Sequence, residues 1–188
     1  MSPTPSLHPG AQGTVALDPL TGKAKSPPFV LSVPSQAAGA SKVFFDLWNG
    51  STVPLVLGKL VGIKDGSVAV TGVVAVKLIA TRTSAIGTGG TAAVAESATV
   101  TDSVISATDP SVALPSGVTA RSAPSGGATA GAVLGEAEIF PEETSDQYLP
   151  VDLVPADTII PAGTGIRVIQ GAVASVGNIG FRADIAIG

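Results

Sequence analysis

Residues 68–82 read VAVTGVVAVKLIATR, and their pattern decides the fold class. Val68, Val70, Val74, Val76, Leu78 and Ala80 share one parity, while Ala69, Thr71, Ala75, Lys77 and Thr81 share the other. Alternate side chains of a β-strand point to opposite faces, so the stretch offers an apolar wall backed by a mixed face. Its valines, restricted at χ1 by branching at Cβ, suit a pleated surface better than a helix. The stretch is long for a single strand, and Gly72 is the expected position of a bulge or bend within it.

Working outward, the same alternation recurs. Val43, Phe45 and Leu47 alternate with Phe44, Asp46 and Trp48, giving a strand apolar on both sides with Trp48 expected in the core. Asn49-Gly50 is a turn signal. Val53 to Ile63 is a second apolar run, and Lys64-Asp65-Gly66 is read as turning it into residues 68–82 to make a β-hairpin. Downstream, residues 94–106 hold one or two strands in a Thr/Ser-rich background. Further strands are expected over 117–122, 132–140, 148–153, 158–160 and 165–170. Ile179, Phe181, Ala183, Ile185 and Ile187 alternate with Gly180, Arg182, Asp184 and Ala186 in a last strand that must be paired within a sheet. About eight strands separated by turn signals, with no helical period, predict an all-β fold: an antiparallel two-sheet β-sandwich, jelly-roll-like. No fixed-period repeat is visible.

Residues 1–41 differ in character. Pro3, Pro5, Pro9, Pro19, Pro27, Pro28 and Pro34 recur too often for a helix or a central strand, yet short apolar patches lie between them. They are expected to form a proline-rich extended arm lying along its own domain, a neighbouring subunit, or both. The β-sandwich domain is assigned to residues 42–188. With 188 residues, the chain is long enough for one domain with a substantial core.

Charged residues make up 13% of the chain and aromatics 4%, with a mean hydropathy of +0.48. Outward faces built from Thr, Ser, Ala and Gly resist association poorly, which points to surface covered by copies of the chain or by a partner. The net charge of −4 and ten scattered basic residues give no electrostatic footprint for nucleic acid. No apolar run is long enough for a membrane-spanning helix, and the N-terminus lacks the features of a secretory signal. Without cysteine, thiolate chemistry and disulfides are excluded.

Candidate chemistry is sparse. The single histidine, His8, lies in the arm, and no GxSxG motif accompanies it. One imidazole and no thiolate do not make a zinc set. TSAIGTGGTAA (83–93) lacks the GK[ST] of a phosphate cradle and reads as a connection between strands. Glu136 and Glu138 share a parity, and Glu142, Glu143, Asp146, Asp152 and Asp157 follow. A solvated acidic loop, a calcium site and a carboxylate pair for glycoside hydrolysis all remain open for this group. No cofactor is expected.

Four phrases carry a resemblance: VFFDLWNGS at the start of the domain, RTSAIGTGGTAA, ARSAPSGGATAGAVLG, and IIPAGTGIRVIQ before the last strand. With these, the chain resembles small structural proteins of tailed-bacteriophage virions, of the capsid decoration (cement) type. The resemblance implies a non-enzymatic protein of the virion, assembled in the host cytoplasm, that binds the major capsid protein on the outer shell as a homotrimer. Contacts are expected from the arm, through Pro19, Phe29, Val30 and Leu31. The alternative is a receptor- or carbohydrate-binding module of a tail or head fibre, for which Trp48 and Tyr148 are the available aromatics.

Overall fold

A computed structural model describes residues 29–65, 75–97, 114–125, 130–140 and 151–187. These residues form two antiparallel sheets packed face to face, with no helix among them. With strands numbered along the chain, the first sheet runs β10 (Thr158–Ile160), β3 (Leu55–Asp65), β12 (Asn178–Ile187), β1 (Phe29–Ala37), β6 (Val94–Ser97). The two-residue β9 (Val151–Asp152) also pairs with β3. The second sheet runs β5 (Thr91–Ala92), β7 (Val118–Ser122), β2 (Val43–Asn49), β11 (Thr164–Gln170), β4 (Val76–Thr83), β8 (Ala130–Ile139).

The core is the set of inward faces that the alternation marks. Leu31 and Val33, Leu55, Leu57 and Leu60, and Ile179, Phe181, Ala183 and Ile185 come from the first sheet. Phe45 and Leu47, Val76, Leu78 and Ala80, Ile139, and Ile166 and Val168 meet them from the second. Bulges add to this set where simple parity fails. On β2 the register steps from Val168↔Phe45 to Ile169↔Val43, leaving Phe44 as the extra residue. Phe44 thereby turns inward, and its ring meets Phe181 at a centroid distance of 5.3 Å. On β3 the register steps from Lys59 to Leu57, so Leu57 and Leu60 both face the core.

Three sequence expectations are corrected. The described parts of the hairpin expected between residues 53–63 and 68–82 do not pair: β3 lies in the first sheet, whereas β4 lies in the second. Both segments are apolar enough to be central strands, and the chain places one in each layer. Residues 68–74 and the bend expected at Gly72 lie outside the described residues. The second correction concerns the sandwich boundary, which falls before residue 42. β1 sits between β12 and β6, with Phe29, Leu31 and Val33 opposite Ile185, Ala183 and Phe181. Pro34 is accommodated because it falls at a break in register between Val33 and Gln36, where no regular ladder bond is required. The third correction is Trp48. It is half-buried on the outward face of the second sheet, beside Thr119 and Gly165, and is not a core residue.

Candidate functional site

The residues expected to bind a partner divide between core and sheet. Leu31 is fully buried and Val30 nearly so, while Phe29 packs against the core at partial exposure. Residues 29–37 are strand β1 within the first sheet, and Leu31 is thereby unavailable to a partner. Pro19 and His8 lie outside the described residues.

The acidic group is dispersed. Glu136 and Glu138 stand on β8, at the margin of the second sheet, opposite Ile79 and Lys77. Glu136 forms an ion pair with Lys77 at 2.6 Å, with both side chains nearly half exposed. The hydrogen bond from Lys77 to Glu136 raises the lysine pKa. Asp152 belongs to β9 in the other sheet, and Asp157 occupies a left-handed turn position (φ 58°). Among the described residues no group of three metal-ligating side chains comes together. Glu142, Glu143, Asp146 and Tyr148 lie outside them.

A charged row that the sequence reading did not single out crosses the outward face of the second sheet. The register places Arg121, Asp46, Arg167 and Thr81 side by side on β7, β2, β11 and β4. The glycine-rich loop after β4 is pinned over it. Gly87 N–H donates to Asp46 Oδ2 at 2.5 Å, Arg121 Nη1 donates to Gly89 O at 3.1 Å, and Ser125 N–H donates to Thr88 O at 2.9 Å. Gly90 turns at φ 71°, where a side chain would run into the backbone of Ser122 and Ala123. Asp46 is left 1% exposed, and Thr81 and Thr83 are also buried. Desolvation raises the Asp46 pKa, opposed by the Gly87 N–H and by the positive charges of Arg167 and Arg121. The row holds the loop down; it presents no nucleophile beside a base. The visible signal was the one aspartate within the apolar run VFFDLWN.

The outward face of the first sheet carries a shallow hollow of about 360 Å³ lined by Lys59, Val61, Ile63, Arg182 and Asp184. Asp184 is already engaged by Arg182 Nε at 3.2 Å. The lining mixes aliphatic stems with both signs of charge and singles out no ligand chemistry.

Fold and surface together define a two-sheet antiparallel β-sandwich in which a buried aspartate flanked by two arginines ties down a loop. No protein-family model, curated protein or solved structure matches the chain.

Proposed function

We propose that this protein is a non-enzymatic structural component of a bacteriophage virion that binds and stabilises the outer surface of the capsid. Its partners in this reading are the major capsid protein and further copies of itself, with the homotrimer as the form that the resemblance implies. The observation carrying the reading is a β-sandwich of low charge that displays large apolar side chains. Val133, Phe140, Ile159, Val173 and Val176 are each at least half exposed, in a chain with 13% charged residues. Apolar area removed from water contributes about 25 cal/mol per Å², and a shell repeats each contact many times. A few hundred Å² per copy then opposes expansion or rupture of the lattice.

The test is addition of the purified full chain to shells of the same virus that lack it. Saturable binding together with a higher rupture temperature is the expected result. Absence of saturable binding, or binding that leaves the rupture temperature unchanged, would remove the reading. The fibre-module alternative draws on the partial exposure of Trp48. Quenching of Trp48 fluorescence by a soluble glycan would favour it.

A further inference from the structure

The chain holds two asparagines, Asn49 and Asn178, which differ in the residue that follows. Asn178 precedes Ile179, whose branched side chain crowds the peptide nitrogen. Asn49 precedes Gly50, which has no Cβ and lets the backbone bend most freely. In such a pair the glycine nitrogen can give up its proton to base and attack the asparagine Cγ. A bond forms between that nitrogen and Cγ, and the Cγ–Nδ2 bond breaks. The proton is returned to the leaving group, which departs as ammonia. The cyclic imide then takes up water and opens to aspartate or isoaspartate, so one water is consumed for each ammonia released.

The folded chain opposes each part of that step. Asn49 is fully buried, so base and water do not reach its side chain. Its amide is fixed at both ends, with Nδ2 donating to Val53 O and Ile160 O and Oδ1 accepting from Ser51 N–H and Ser51 Oγ. The attacking nitrogen is engaged as well. Gly50 N–H donates to Gly117 O at 2.8 Å, and a bonded amide keeps its proton until that bond opens. Asn49 is the last residue of β2, held between Val118 on β7 and Thr164 on β11. Gly163 N–H donates to Asn49 O at 2.7 Å on the same side. Swinging the Gly50 nitrogen onto Cγ would disturb both ladders at once.

We propose that Asn49-Gly50 is a deamidation site held closed by the fold, so that water converts residue 49 only in chains that unfold, and the conversion bars their return. The second half follows from what surrounds the side chain. An aspartate at 49 would direct an acceptor at the Ile160 carbonyl, where the amide now donates, and would bury its charge. An isoaspartate would lengthen the backbone of β2 between β7 and β11 and upset its register with both. Unfolding of this protein is thereby reversible for a chain that refolds promptly and irreversible for one that lingers. Nothing in this depends on the capsid reading.

The experiment incubates the full chain in mildly alkaline buffer, folded and in unfolding urea, and follows residue 49 by peptide mass spectrometry. The urea-unfolded chain should convert at Asn49, and the folded chain should convert more slowly by about a thousandfold or more, as its unfolded fraction requires. Leu31→Ala lies in the core, away from the site. It should speed conversion of the folded chain by the factor by which it raises the unfolded population in a urea titration. A folded-chain rate within about tenfold of the unfolded rate, or one that Leu31→Ala leaves unchanged, would place conversion in the native state and overturn the proposal. So would an unfolded chain that keeps Asn49 intact. Asn49→Asp, the simpler product, should unfold at a lower urea concentration than wild type or fail to fold. A wild-type midpoint for that variant would show that conversion does not bar refolding.

Discussion

Asn49 is fully buried, and its side chain is engaged at both ends. Nδ2 donates to Val53 O at 2.9 Å and to Ile160 O at 3.0 Å, while Oδ1 accepts from Ser51 N–H at 3.1 Å and Ser51 Oγ at 2.6 Å. An Asn-Gly pair commonly makes a tight hairpin turn. Here the asparagine amide reaches the end of β10 in the opposite sheet, and the chain passes from one layer to the other. Asn49→Ala should therefore cost about 1–3 kcal/mol, because the Ile160 carbonyl loses a buried donor. Urea unfolding measures this, and a loss below about 0.5 kcal/mol would show that the corner does not depend on the amide. Gly165 is similarly constrained, since an added Cβ would lie 2.5 Å from both Leu47 O and Thr83 Oγ1. Asp46 gives a pH prediction. Its pKa is raised on folding from an ordinary 3.8, so the native state binds the proton more tightly than the unfolded chain. Its contribution to stability is then fully present below about pH 3.8 and is lost as pH rises through the folded value. Relative to the non-titrating Asp46→Asn variant, wild type should gain stability as pH falls from 7 towards 4. Parallel stability curves over that range would contradict the assignment.

The strands that matter most for stability lie near the middle of the first sheet. β12 is paired along its length with β3 on one side and β1 on the other. Removing residues 1–40 would delete β1 and expose an edge of β12, so that truncation should abolish cooperative unfolding. Removing residues 1–28 leaves every described strand in place and should preserve a cooperative transition. Circular dichroism melts of the two truncations separate these outcomes, and a folded 41–188 chain would sink the argument. Within β1, Leu31→Ala should cost about 2–5 kcal/mol by leaving a cavity against the fully buried core. The element scale also explains why part of the topology was illegible. Alternation identifies each strand's inward face, and it located β2, β3, β4, β7, β8, β11 and β12. It contains no information on which sheet an inward face belongs to, because both sheets present the same aliphatic side chains to one core. Prolines misdirected the reading of β1: Pro34 suggested an arm, but a break in register accommodates it.

The whole molecule must manage a low-charge surface without uncontrolled association. Among the described residues, the marginal strands β5 and β10 have two and three residues, too short to template a new strand. β8 has ten residues, and its pairing with β4 is interrupted twice, between Ala80 and Thr81 and between Thr81 and Thr83. Such interruptions bend a strand and blunt its margin as a template. Self-association should therefore be discrete and should use faces or ends of the sandwich instead of extending its sheets. Light scattering coupled to size exclusion should give one defined mass, expected to be three copies. That mass should persist in about 1 M salt, where charge interactions reach only roughly 3 Å. A salt-sensitive mass or open-ended polymer would contradict this account.

The all-β class was legible in the amino-acid sequence, because the period-two alternation at 68–82 and 179–187 follows from strand geometry wherever a strand ends up. The sequence also marked VFFDLWN as an apolar strand, in which Phe44, Phe45 and Leu47 are buried, but it grouped carboxylates that the fold disperses. Folding of the complete chain was needed for Asn49 to join the layers, for Asp46 to lie between two arginines beneath a loop, and for residues 37–41 (AAGAS) and 171–177 (GAVASVG) to meet at one end. Each of those arrangements depends on which strands become neighbours. The contacts are between segments as much as 131 residues apart, as with Gly39 and Gln170. Local pattern fixes the face of a strand, but packing of the complete core selects its neighbours, and the surface that results is assembled only then.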